Sequence, residues 1–243
     1  MRALTQINEL FRQLIFLPLL PIILFQAKQV RRKAIHLPLA KGKHQAIQAN
    51  ADLSLLHIGE STVAGVGVSH LKFGLTNAIS KHLNLSLGVN INWHILAQNG
   101  ATIAHINQLE STIPNPDILL ITLGVNDTTG ITSIRAWRDQ IYLSCQKFAG
   151  PETQIYFTQV PNMAQFPLLP FPLNRFLGIR SQQLDDELKA CCHLLEAHYL
   201  NSQLPIKAAW MAKDGYHPNE AGYDIWAEQI ASSMAPTLKF IKP

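Results

Sequence analysis

The chain is 243 residues long, 47% hydrophobic and 15% charged, enough apolar material for one large core. Its formal net charge is +4, but six of the twenty Lys and Arg fall between Lys28 and Lys43, so the basic excess is local, and no basic stripe with interleaved aromatics marks a nucleic-acid surface. Three cysteines, Cys145, Cys191 and Cys192, give neither a disulfide framework nor a Cys-x-x-Cys zinc spacing; no cofactor and no metal is expected.

The N-terminal segment differs from the rest. Residues 14–25 are wholly apolar and carry Pro18 and Pro21, a stretch well short of the roughly twenty residues a spanning helix needs. No small-x-small cleavage site follows Phe25, and Lys28, Arg31, Arg32 and Lys33 come at once. The segment therefore reads as an interfacial anchor on an anionic membrane surface rather than a signal peptide; the alternative is an arm packed on the domain. Only Arg2 and Arg12 precede the apolar run, and basic residues on its domain side favour the cytoplasmic face. The other possibility is an exported or periplasmic protein held by the same anchor. Residues 41–52 read as a polar linker.

From residue 53 apolar runs alternate with helix-like spacing. Candidate strands are 53–58, 89–96, 118–123, 154–159 and a weaker one at 206–210. The βα repeat predicts a three-layer α/β/α sandwich around a mostly parallel sheet of about five strands. The longest helix candidate, 175–200, places Leu184, Leu188, Cys191, Leu195 and Tyr199 at intervals of three and four, a stripe that reads as core, with both cysteines as packing residues.

Four strand-end stretches carry the chemistry. Gly59-Glu60-Ser61-Thr62 follows the first apolar run, and in open α/β sheets ligands bind beyond the carboxyl ends of the strands, so Ser61 is a candidate nucleophile. The alternative is a serine that caps the next helix. Gln98-Asn99-Gly100 marks a tight turn after the second run, where a glycine lets a backbone N–H approach a ligand. Gly124-Val125-Asn126-Asp127 follows the third, where Asn126 points a neutral donor into the crevice or, alternatively, caps the following helix.

The fourth stretch, Asp214-Gly215-Tyr216-His217-Pro218, puts His217 before the final helix, with Pro218 suited to the first helical position. Asp214 can fold back on the imidazole, fix its tautomer and leave the other nitrogen free to take a serine proton. An Asp-x-x-His pair could also ligate a metal, but no further His, Asp or Glu cluster at ligand spacing accompanies it.

Taken together, these motifs resemble the SGNH hydrolases, the GDSL esterase and lipase family, over residues 53–235. The resemblance implies Ser61 as nucleophile, His217 as base and Asp214 as its orienting acid, with the Ser61 N–H, the Gly100 N–H and the Asn126 side chain as the oxyanion hole. Where the family usually has aspartate this chain has Glu60, a longer carboxylate in a supporting position. The segment Gly59-Glu60-Ser61-Thr62-Val63 is not a Gly-x-Ser-x-Gly elbow. A nucleotide-binding module is disfavoured because no Gly-Lys-Ser/Thr is present.

The organisation expected is a membrane-associating segment at 1–40, a linker at 41–52 and a hydrolase domain at 53–243. The function expected is cleavage of small-molecule or lipid carboxylic esters through an acyl-serine. Thioesterase, lysophospholipase and carbohydrate O-deacetylase activities share that acylation step, and a catalytically inactive, membrane-associated binding protein is the non-enzymatic alternative. Residues 162–176, apolar and Pro-rich, read as an irregular loop that lines an acyl pocket, forms a lid or covers the sheet edge. Nothing in the sequence sets an oligomeric state.

Overall fold

The strands at the centre are apolar on both faces because both faces are covered. A computed structural model describes residues 16–111, 113, 115–202, 204 and 206–239. Its sheet has six strands, β1 (Gln45–Ala46), β2 (Leu53–Gly59), β3 (Ile91–Ala97), β4 (Ile118–Thr122), β5 (Gln154–Thr158) and β6 (His198–Leu200), in the order β1-β3-β2-β4-β5-β6. All neighbours are parallel except β1, which pairs antiparallel with β3. This is the expected three-layer sandwich with its five parallel strands, plus a two-residue edge.

The helices are α1 (Leu20–Lys33), α2 (Leu75–Leu87), α3 (Ile103–Ile106), α4 (Val125–Thr129), α5 (Ile134–Phe148), α6 (Leu173–Leu194) and α7 (Glu220–Met234). Alternation along the strands divides the core. Leu53, Leu55, Ile118, Leu120 and Tyr156 face α2 and α7, where they pack with Leu75, Ile79, Tyr223 and Ile230. Leu56, Ile58, Leu119, Ile121 and Phe157 face α5 and α6, meeting Trp137, Ile141, Leu184 and Leu188. Cys145, Cys191 and Cys192 are buried in this second cluster, and burial pushes each thiol up to about 12, which leaves them as packing groups.

Three elements depart from the sequence-based expectation. Residues 206–210 are not a strand; Ala208–Trp210 is a 3-10 turn, and the last strand is β6. The reason is that α6 stops at Leu194 and the chain turns through Glu196 at φ +53°, a left-handed residue with no Gly or Pro to announce it. Tyr199 therefore belongs to the sheet and not to the helix stripe, and its hydroxyl donates to Asp185 of α6 at 2.9 Å. Secondly, residues 41–52 are not a free linker. Ile95 N donates to His44 O at 2.7 Å and Gln48 N to the Asn92 side chain at 2.7 Å, so the segment forms the sheet edge. Thirdly, residues 162–176 contain a 3-10 turn, Met163–Gln165, and the first residues of α6.

The N-terminal apolar run begins at residues 14 and 15, which lie outside the described residues, as do Arg2 and Arg12. From Phe16 onward the chain packs on the domain along one face. Ile23 is 3% exposed and sits with Met163, Leu169, Leu173 and Leu177. Gln26 donates to Phe171 O at 2.7 Å and accepts from Leu173 N at 3.2 Å. Among the described residues no helix is long and apolar enough to cross a membrane.

β2 starts from the middle of the sheet, with β3 on one side and β4 on the other. The chain thus changes direction across β2, and the crevice of such a sheet opens at the carboxyl ends of the strands flanking that switch. Beneath it, His57 on β2 is fully buried between the hydroxyls of Thr76 (2.8 Å) and Thr122 (3.0 Å). Burial pushes its ring down to about 3 from 6.5. Between those values the unfolded chain binds the proton and the folded chain does not, so His57 removes stability as pH falls below about 6.5, at roughly 1.4 kcal/mol per unit. We expect His57→Gln, which keeps polar atoms for both threonines, to gain on the parent by about that slope between pH 6.5 and 4.5 when unfolding free energies are compared. A difference between the two proteins that stays constant over this range would contradict the buried neutral imidazole.

Candidate active site

Ser61 stands two residues beyond the end of β2, on a turn made possible by Gly59. A Cβ there would lie 2.4 Å from Thr122 O of β4 and 2.2 Å from the Val63 side chain, so any larger residue would push the turn off the neighbouring strand. The turn then closes on itself, with Ala64 N donating to Glu60 O at 3.0 Å and Val66 N to Ser61 O at 2.9 Å. Ser61 is left half-buried and faces the crevice.

His217 arrives from the other end of the chain. The segment before α7 folds back on residues 208–212: Ala212 N donates to His217 O at 2.8 Å, and Asn219 N to Trp210 O at 2.9 Å. α7 starts at Glu220 with Asn219 as its side-chain cap. Pro218 is therefore not the first helical residue expected from sequence; it precedes the cap and bridges to Met211. His217 thus lies three residues before the helix.

The loop after Ser61 holds the His217 segment by two contacts. Gly67, at φ +106°, has Pro218 O only 2.1 Å from where a Cβ would be. Tyr223 of α7 donates to Val66 O at 2.6 Å.

These placements bring three expected residues into one hydrogen-bonded row. His217 Nε2 is 2.8 Å from Ser61 Oγ, and its Nδ1 is 2.5 Å from Asp214 Oδ2. Asp214 Oδ1 accepts from the backbone N–H groups of Tyr216 and His217, each at 3.1 Å. Burial raises the Asp214 carboxyl, but the His217 ring and these two amides outweigh it and hold the group below its usual range. A serine hydroxyl beside an imidazole that is backed by a carboxylate is an arrangement suited to removing the hydroxyl proton.

The two other expected residues are placed differently. Asn126 lines the same cavity as Ser61 and His217, but its amide donates to Glu60 Oε2 at 2.5 Å and to Ala101 O at 3.1 Å. It does not cap α4 with its side chain. Gly100 sits in the turn after β3 at φ +78°, with Asn99, its neighbour, lining the cavity.

Glu60 was legible in the sequence only as a departure from a pattern, and it proves central to the loop after β4. Its side chain is 3% exposed and accepts from Val125 N at 2.9 Å and Asn126 N at 3.0 Å, besides the Asn126 amide. A carboxylate thus takes two orphan N–H groups at the start of α4, the place where negative charge is most favoured. Burial nonetheless raises the Glu60 carboxyl to about 7; the amides of Asn126 and Val125 oppose the rise, and the Asp127 charge adds to it. Asp127 itself ties this loop to α3, accepting from Ile103 N at 3.0 Å and Thr132 Oγ1 at 2.8 Å.

The cavity holding Ser61 has a volume of about 380 Å³. Met163, Phe166 and Leu169 of the Pro-rich loop line it, as that loop's composition suggested, and so do Leu204, Ile206 and Met211. Sequence reasoning missed a further wall, which comes from the N-terminal arm: Val30, Arg31, Ala34, Ile35, His36 and Leu37.

Residues 57–225 match the GDSL-like lipase/acylhydrolase family. The chain belongs to that family, and it is an ester hydrolase. Similar solved structures include the lipase/acylhydrolase from Enterococcus faecalis, 15% identical with a TM-score of 0.60, covering 79% of this chain and 100% of that one. An acetyl xylan esterase from Geobacillus stearothermophilus is 16% identical with a TM-score of 0.59, covering 79% of this chain and 98% of its own. The psychrotrophic esterase EstA from Pseudoalteromonas sp. is 18% identical with a TM-score of 0.57, covering 77% and 99%. At these identities the likeness is one of fold. Among curated proteins none matches by sequence.

Proposed function

We propose that the protein hydrolyses carboxylic esters through an acyl-serine formed on Ser61. The observation that carries this reading is the row Ser61 Oγ, His217 Nε2, His217 Nδ1, Asp214 Oδ2 with spacings of 2.8 and 2.5 Å. His217 takes the Ser61 proton as Oγ attacks the acyl carbon, then passes it to the departing alcohol oxygen. In the second half it takes a proton from water, the hydroxide attacks the acyl-serine, and the proton returns to Ser61 Oγ as the acid leaves. Asp214 holds the ring in the tautomer that leaves Nε2 free to accept and offsets the charge the ring acquires.

The oxyanion donors in this reading are the Ser61 and Gly100 N–H groups and the Asn126 amide. Asn126 has two amide hydrogens, and the longer of its contacts, 3.1 Å to Ala101 O, is the one exchanged for the oxyanion. Glu60 keeps the other and with it the orientation of the amide. Loss of one such donor typically costs about 10²–10³ in kcat. Ser61→Ala should abolish turnover of p-nitrophenyl esters, and Asn126→Ala should lower kcat by about 10²-fold with a smaller change in KM. Turnover in Ser61→Ala at the parent's rate would assign the chemistry to another group.

The same reading places the enzyme at an anionic membrane surface, most simply on the cytoplasmic side. Its support is the outward side of the arm. Leu17, Leu20, Ile22, Leu24 and Phe25 are exposed large hydrophobics, Lys28, Arg31, Arg32 and Lys33 are exposed beside them, and no acidic residue occurs between Leu10 and Ala51. Each basic residue near such a surface contributes about 1 kcal/mol, in addition to the buried apolar side chains. Deleting the arm is a poor test, because its inner side lines the cavity. The double variant Leu24→Glu, Phe25→Glu should instead lose co-sedimentation with phosphatidylserine-containing vesicles while hydrolysing p-nitrophenyl acetate at the parent's rate. Undiminished sedimentation would place the membrane contact elsewhere.

A further inference from the structure

The arm lies outside the residues that match the family, 57–225, yet it lines the cavity in which Ser61 stands. Its inward positions follow one helical face. Ile23, Ala27 and Val30 recur at intervals of four and three, and Ala34 continues the face just past the end of α1. The first part of this face is bolted to the domain: Ile23 is buried, and Gln26 makes both of its hydrogen bonds to the backbone of the loop around Phe171. The second part turns its side chains to the cavity, where Val30 and Ala34, both half-buried, stand with Leu37 among the lining residues, and Arg31 and His36 lie at its edge with them.

The cavity is thus composite. The reacting groups and the Met163, Phe166 and Leu169 side chains come from the family domain, and the outer wall comes from an appended helix. At about 380 Å³ the cavity is of the size that holds a small organic ligand. Where Ser61 holds the carbonyl carbon, a chain that runs along the apolar walls meets the arm.

We propose that the N-terminal arm is the specificity element of this hydrolase, with Val30 and Ala34 forming the wall that limits how long an acyl chain the Ser61 cavity accepts. The proposal rests on the reading that Ser61 is acylated. It makes the arm a two-sided element, since the outer side proposed to face the membrane and the inner side facing the acyl chain are separated by one helix, about 10 Å across.

The test is a chain-length profile on the full-length protein, using p-nitrophenyl acetate, butyrate, octanoate and laurate. Val30→Trp and Ala34→Trp fill the space, so kcat/KM for octanoate and laurate should fall on the order of tenfold or more, because even one misplaced methylene in an apolar pocket costs about tenfold. The octanoate-to-acetate and laurate-to-acetate ratios should fall with it, since the longer chains bury more of their surface against the filled wall. Val30→Ala, a truncation the fold tolerates more readily, should shift the laurate-to-acetate ratio in the opposite direction.

A ratio unchanged in Val30→Ala, or octanoate, laurate and acetate falling in equal proportion in both tryptophan variants, would overturn the proposal and leave the arm as packing. Failure of the underlying reading is seen separately: a fluorophosphonate probe would then label Ser61→Ala as fully as the parent, whatever the chain-length profile.

Discussion

The end of β2 has no room for a side chain, and the site is built on that constraint. Gly59 lies against the carbonyl of Thr122 on β4 and the side chain of Val63, so the chain must turn sharply at the point where the sheet switches direction. The turn puts Ser61 over the crevice and Glu60 under it. A second close approach, Gly67 against Pro218 O, brings the loop before α7 onto the loop after β2. Residues 156 positions apart in sequence, Ser61 and His217, meet at 2.8 Å because of these two glycines.

A buried carboxylate joins the end of β4 to the end of β2. Glu60 binds two backbone N–H groups of α4 and the amide of Asn126, so the loop after β4 is held by a group from the end of β2. Unpaired buried charge is costly, and the rise of the Glu60 carboxyl to about 7 reflects it. Three N–H donors offset much of that cost.

The sheet was legible in the sequence because buried parallel strands write themselves as apolar runs. Residues 53–58, 118–123 and 154–159 fall within a residue or so of β2, β4 and β5. β6 was not legible, since three residues are too few to show a period and the break after α6 uses Glu196 where a glycine would have been a signal. Ser61, Asp214 and His217 could be picked out by their order at strand ends, and the structure brings them together. The partners of Asn126 could not, because a hydrogen bond to Glu60 across 66 positions leaves no local pattern. Nor could the arm's inner wall, where Val30 and Ala34 read as ordinary members of an amphipathic stretch.

The proposed reaction passes through a covalent intermediate at one oxygen, Ser61 Oγ. Mixing the protein briefly with p-nitrophenyl butyrate, quenching in acid and measuring the mass of its peptides should show a butyryl group on the peptide bearing Ser61, absent from the Ser61→Ala variant. Continued turnover with no acyl adduct, or an adduct on a different side chain, would contradict it.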